Sequence, residues 1–248
     1  MIVFDGVVLE DIAPVRIEDI RVNPVEMNAT TRARAIFPGS QFVRMRYGTR
    51  TISITFAVQV ENMAARQAAL LAISQWAKSD KAYKLELPMH PDKYLECVCT
   101  GKPEPSVRQW WEAKLRLTFT CYDNPFWTSK IERSKKCNRD FYIFGDAPPL
   151  MRIERNVASA VSSTQRYTYK GRYIRLSALP AGKMIIDLNK QTITNTASNV
   201  TSSIISNVIV SSGGYQSSFP IPEPGAAYVT EAGNSGEDGV VYYRERWL

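Results

Sequence analysis

The segment TISITFAVQV, Thr51 to Val60, alternates apolar and polar side chains almost without a break. Ile52, Ile54, Phe56, Val58 and Val60 share one side, while Ser53, Thr55 and Gln59 lie on the other. That period of two suits a half-buried strand and no helix. A strand leaves a row of backbone N–H and C=O groups to be paired, so partners must lie elsewhere in the chain. KLEL, YLECVCTG and AKLRLTFTCY supply three further alternating runs, the last placing Leu115, Leu117, Phe119 and Cys121 on a single face. Upstream, TRARAIFPGSQFVRMRYG alternates around Pro38-Gly39 and predicts a hairpin. Arg32 and Arg34 share a face of its incoming arm, Arg44 and Arg46 a face of its outgoing arm.

One helix interrupts these strands. Asn62 is a natural N-cap, and MAARQAALLAISQWAKS places Leu70, Ile73 and Trp76 or Ala77 on the stripe of an amphipathic helix of about four turns. The first half is therefore an α+β unit, mainly antiparallel β with one helix packed on it, over residues 1–128. From 129 to 146 the chain is charged and aromatic without a sustained period, and is expected to be a linker. Residues 147–248 carry short strand-like runs separated by Ser, Thr, Asn, Gly and Pro, the pattern of an all-β sandwich. Within them IIDLNKQTIT predicts a hairpin turning at Asn189-Lys190. No internal repeat is evident.

With 248 residues and 44% hydrophobic side chains the chain can bury a core without disulfides or metal. No apolar run is long enough to span a bilayer and the N-terminus lacks a signal-peptide pattern, so synthesis in the cytoplasm with reduced thiols is expected. Chemistry has few candidates. His90 sits between two prolines in LPMHPDKY, the pattern of a loop residue rather than a catalytic base. Cys97, Cys99 and Cys121 with His90 could gather soft ligands, but no CxxC spacing occurs and buried strand positions account for the thiols. Asp123, ahead of Asn124-Pro125, reads as a strand-ending turn residue. Trp110-Trp111 would send one indole to each face of a strand start. No GxSxG, HExxH, Walker A or GxGxxG pattern is present, so no enzyme and no cofactor is expected.

Net charge is +7, and five arginines (Arg32, Arg34, Arg44, Arg46, Arg50) cluster at the hairpin. A solvated face, a nucleic-acid contact and a contact to another subunit are all compatible with that cluster. It lacks the interleaved aromatics of a single-strand binder.

The order of these features resembles the siphophage distal tail protein family. FDGVVLEDI is similar to the family's opening strand and turn, followed by the basic hairpin, RTISITFAV, the Trp-containing helix of LLAISQWAKSDKAYKLEL, and the closing LRLTFTCYDNPFW. In the second half GDAPPLMRIE, MIIDLNKQTIT and GVVYYRERWL look like the entry strand, central hairpin and final strand of the C-terminal domain. The resemblance implies a galectin-like form for the sandwich and a structural virion protein. In the family, six N-terminal domains form a ring joining the tail tube protein to the tail-tip protein. Receptor-binding or accessory baseplate proteins assemble on it, with no sequence-specific nucleic acid and no membrane as partners. Location in the phage tail tip after assembly in the host cytoplasm follows. On this basis Arg32, Arg34, Arg44 and Arg46 are candidates for the subunit interface. The alternative is a carbohydrate-binding module of a host-adsorption protein, with Tyr167, Tyr169 and Tyr173, and further Tyr215 and Tyr228, as a stacking platform. Tyrosine in a strand is more often an ordinary strand former.

Overall fold

The computed structural model describes residues 1–33, 40–101, 106–109, 112–197, 200–208, 211–212, 215–216, 219–232 and 239–248. Two compact units emerge: Met1–Trp127 together with Leu248, and Thr128–Trp247. The first contains β1 (Val3–Phe4), β2 (Val7–Val8), α1 (Leu9–Ile12), β3 (Val15–Val22), β4 (Met27–Ala33), β5 (Ser40–Tyr47) and β6 (Arg50–Gln59). It continues with α2 (Met63–Trp76), β7 (Tyr83–Glu86), β8 (Lys93–Cys99), β9 (Ser106–Gln109) and β10 (Glu112–Cys121). Pairing is antiparallel throughout. β6 lies between β3 and β10, and the chain of pairs continues from β10 through β8 and β7 to β1 and β2.

The alternation of TISITFAVQV is a core pattern. Ile52, Ile54, Phe56 and Val58 are fully buried and stand beside Leu115, Leu117 and Phe119 of β10, in a register that runs from Glu112 opposite Gln59 to Cys121 opposite Arg50. The polar face is less exposed than a two-layer picture predicts. Ser53 is buried and its Oγ accepts from Arg116 Nη2 at 3.0 Å, and Arg50 is buried rather than part of a basic face. A strand flanked on both sides loses solvent even where its side chains are polar.

Helix α2 starts as its sequence predicts, with Asn62 Oδ1 accepting from Ala65 N at 2.8 Å. That bond satisfies one of the donors a helix N-terminus leaves open. Ala69, Ile73 and Ala77 are buried, with Leu70 and Trp76 half-buried beside them. Trp76 reaches the first strand pair: its Nε1 donates to Val7 O at 3.0 Å and its ring meets Phe4 edge-on, 5.6 Å between centroids. Phe4 and Phe119 meet in turn at 5.1 Å, so three aromatic rings tie the N-terminus, the helix and β10 together. Such edge-to-face pairs add about 0.5–1.5 kcal/mol beyond area burial. The four-residue α1 was not legible, because LEDI is too short to show a helical period.

β11 (Trp127–Ser129) carries the chain into the second unit. There follow β12 (Arg133–Lys136), β13 (Asp140–Ile143), β14 (Ala147–Val157), β15 (Gln165–Tyr169), β16 (Arg172–Leu176), β17 (Gly182–Asp187), β18 (Thr192–Ala197) and β19 (Val200–Ser203). A single 3-10 turn (Ile205–Asn207), β20 (Ser211–Ser212), β21 (Tyr215–Gln216), β22 (Gly225–Ala232) and β23 (Val240–Trp247) complete it. One sheet runs β19-β18-β17-β14-β23 with β12 on its far edge; a second runs β13-β22-β15-β16. Both feed one hydrophobic core, in which Met151, Ile153, Met184, Ile186 and Val241 from the first meet Phe141, Ile143, Tyr167, Ile174 and Val229 from the second.

Residues 129–146 are therefore not a linker. β12 pairs with β23 and β13 with β22, so this stretch finds its partners roughly a hundred residues later. Its charge is explained by position: β12 is exposed at all four residues, while β13 alternates. Gly145 allows the turn into β14, since its φ is +111° and a Cβ there would lie 2.2 Å from the Arg246 carbonyl oxygen. The hairpin at Asn189-Lys190 forms as its sequence predicts, with Asp187 Oδ1 accepting from the backbone N–H of both residues.

Candidate functional site

The arginine hairpin leaves the first unit through a narrow neck. Asn23 N donates to Thr51 O, Glu26 N to Thr49 O and Gly48 N to Glu26 O at 3.0, 3.1 and 2.7 Å. Beyond it, among the described residues, β4 and β5 pair only with each other, from Met27 opposite Tyr47 to Ala33 opposite Ser40. A break in register between Thr30 and Thr31 leaves Val43 as an extra residue on β5, a β-bulge. Register then sets the two sides of the ladder. Asn28, Thr30 and Arg32 face Arg46, Arg44 and Gln41, so the three arginine positions lie on one side. Met27 and Ala29 face Tyr47 and Met45 on the other.

Arg46 is exposed, as are Met27, Ala29, Met45 and Tyr47. Arg32 and Arg44 are placed by their backbone, and Arg34 lies outside the described residues, as do Trp110 and Trp111. Tyr47 meets Phe126 edge-on at 5.0 Å near the neck. The sequence shows the arginines; it hides the apolar reverse side, because the bulge shifts the alternation of β5 partway along. Among the described residues the ribbon thus shows Arg46 exposed on one side and Met27, Ala29, Met45 and Tyr47 exposed on the other, and a two-stranded hairpin is by itself marginally stable in water.

Among the described residues, those with chemistry in them do not converge. His90 sits in a turn with its ring 4.7 Å from that of Trp127. Cys97 and Cys121 are both buried, and the β8–β10 register extends to bring them side by side. Burial raises the pKa of the Cys97 thiol, and the neighbouring Cys121 thiol adds to the shift. Among the described residues, no three His, Cys, Asp or Glu side chains gather as a metal site would require. Asp123 is exposed after β10, and it is Asn124 that is buried, its amide donating to Glu96 Oε2 at 3.4 Å.

Two of the three tyrosines considered as a stacking platform face the core. Tyr167 and Tyr169 are each 1% exposed, because odd-numbered residues of β15 point inward. Tyr167 belongs to a buried polar cluster, where its hydroxyl donates to Glu231 Oε1 at 2.8 Å and Arg155 Nη1 donates to the same oxygen. Glu231 Oε2 accepts from Gly239 N at 2.7 Å. Burial raises the Tyr167 pKa, and the Glu231 charge raises it further. Tyr169 donates its hydroxyl proton to Glu223 O. Tyr173 is half-buried with the Arg166 guanidinium 4.3 Å above its ring. Tyr228 is well exposed.

No protein-family model matches the chain, and no curated protein sequence matches it. Among solved structures, its fold is that of the Dit protein of phage SPP1, described as a paradigm of the hub adsorption apparatus in phages that infect Gram-positive bacteria. The likeness covers 100% of this chain and 98% of that one at a TM-score of 0.76 and 12% identity. A chain of the phage p2 baseplate, in its activated conformation with Sr, covers 93% of this chain with 90% of its own length, at a TM-score of 0.50 and 8% identity. At these identities the likeness is one of fold.

Proposed function

We propose that this protein is a structural component of a siphophage tail, the hub at its distal end. The observation that carries the reading is the length of the likeness to the SPP1 hub protein, which spans both units and leaves almost nothing of either chain unmatched. Order of sequence features points the same way independently. In this role six copies close a ring through their first units and join the tail tube to the tail-tip protein. The second units, galectin-like in form, project outward as a base for adsorption proteins. The work is mechanical and needs no catalytic group. Assembly takes place in the host cytoplasm and the product resides in the virion.

The hairpin is the element that reaches the neighbouring copy. Arg32, Arg34, Arg44 and Arg46 meet acidic groups there while Met27, Met45 and Tyr47 supply the apolar part of the same contact. Contacts of this kind are heterologous, and a heterologous contact closes into a ring when its rotation divides a full turn. Native mass spectrometry of the purified chain tests the reading, with a hexamer as the expected species and Arg46→Glu combined with Arg44→Glu reducing it to smaller ones. A hexamer that survives both reversals removes the arginines from the interface. A chain that stays monomeric even when mixed with its tail-tube protein removes the hub.

A further inference from the structure

Beyond assembly, the outer face of the second unit's four-stranded sheet has the makings of a ligand site. The inner side of this sheet carries Phe141, Ile143, Tyr167, Tyr169, Ile174 and Val229 into the core. The outer side is set by register. Asp140 stands opposite Tyr228, Tyr142 opposite Ala226, Thr168 opposite both Thr230 and Tyr173. Small residues in the middle, Ala226, Thr168 and Thr230, leave a shallow depression of about 490 Å³ rimmed by Asp140, Tyr228 and Lys170.

Exposed aromatic rings concentrate here. Of the exposed aromatic side chains among the described residues, Tyr142, Phe144 and Tyr228 belong to β13, its following residue and β22, whereas Tyr47 and Tyr122 lie in the first unit. Tyr142 and Phe144 are in contact at 4.9 Å between centroids. Tyr142 is the diagonal neighbour of Tyr228, a spacing of roughly 7–8 Å on an antiparallel pair. The rings thus form a strip that begins at the depression and leads away from it, with hydroxyls and a carboxylate alongside.

We infer that this face binds a neutral oligosaccharide of several pyranose units. A pyranose presents an apolar C–H face and a rim of hydroxyls, and a site for it needs an aromatic ring beside hydrogen-bond donors and acceptors. Tyr228 offers the ring; Asp140 accepts from paired hydroxyls; Thr168 and Thr230 donate and accept. Tyr142 and Phe144 receive the following units. The charges argue against an acidic ligand. Lys170 Nζ is held by Glu223 Oε2 at 3.2 Å and the Pro224 carbonyl, Arg166 lies over Tyr173 with its Nε donating to Thr168 Oγ1, Arg133 over the Phe144 ring is paired with Glu245, and Asp140 repels anions.

The full chain, applied to a printed array of neutral and acidic oligosaccharides with a single-stranded DNA oligonucleotide alongside, tests this inference. Expected is retention on neutral glycans of three or more sugars, weakened about tenfold by Tyr228→Ala and by Asp140→Ala, the loss of one good contact. Tyr122→Ala, an exposed aromatic of the first unit, should leave retention unchanged. Both test positions are exposed, and unchanged urea midpoints would show that the variants are folded. No retained glycan, retention indifferent to both substitutions, or a preference for acidic glycans or DNA overturns the inference. None of these outcomes depends on ring formation, so the hub reading stands or falls separately.

Discussion

At the scale of single residues, the second unit depends on a charge placed where water does not reach. The Arg155 and Glu231 side chains are only 5% and 6% exposed, and Glu231 accepts from Arg155, Tyr167 and the Gly239 backbone together. Burying such a pair gains little against a well-packed apolar substitute, but removing one partner strands the other. Glu231→Gln keeps the shape and deletes the charge, so it should cost about 3–5 kcal/mol, read as a fall in the urea midpoint. A cost under 1 kcal/mol would mean that Arg155 finds its compensation elsewhere. In the first unit the thiols of Cys97 and Cys121 are buried core atoms, and burial holds that of Cys97 in its neutral form. Iodoacetamide at about pH 8.5, where an ordinary thiol is half ionised, should leave both unlabelled until the protein is unfolded. Half-buried Cys99 should label before them; early labelling of Cys121 would contradict the packing of β10.

At the scale of elements, β14 carries a ladder of ion pairs along its outer side. Arg152 donates to both oxygens of Glu132 at 2.5 and 2.9 Å and through Nε to Glu154 at 2.6 Å, and Lys183 approaches Glu154 at 2.7 Å. The hydrogen bonds from Arg152 lower the pKa of Glu132. Burial alone would raise that of Glu154, but Lys183 and Arg152 outweigh it and the net shift is downward. A carboxylate with a lowered folded pKa stabilises the protein above its unfolded value and ceases to do so as pH falls through the folded one. The urea midpoint of the second unit should therefore decline between about pH 5 and pH 3, and Arg152→Gln should flatten that decline. An equally steep decline in the variant would assign it to other carboxylates. Elements with local signals were legible: β6 and β10 by alternation, α2 by its Asn62 cap and its stripe, the β17–β18 turn by Asn189-Lys190. What stayed hidden depends on distant partners. β12 and β13 have no core pattern of their own until β23 and β22 lie beside them. Tyr167 and Tyr169 could be read as surface or core, because parity within a short strand does not say which side is inward.

At the scale of the whole molecule, the composition hints at contact without naming a partner, and the hairpin turns that hint into a measurable expectation. If arginine pairing closes the ring, raising salt from about 0.1 to 1 M, which shortens the screening length from roughly 10 to 3 Å, should shift light-scattering mass downward. A mass indifferent to salt would place the weight of the interface on Met27, Met45 and Tyr47 instead. The extra residue at Val43 bears on a different hazard. Among the described residues no other strand pairs with the long edges of the β4–β5 ribbon, and an open edge to which other chains add repeatedly grows fibres without limit. A bulge interrupts the row of donors and acceptors on β5 and bends the strand, so no straight partner can zip along its length. Deleting Val43 would restore an uninterrupted template, and if the hairpin meets one neighbouring copy as proposed, the variant should instead polymerise, read as a rise in light-scattering mass.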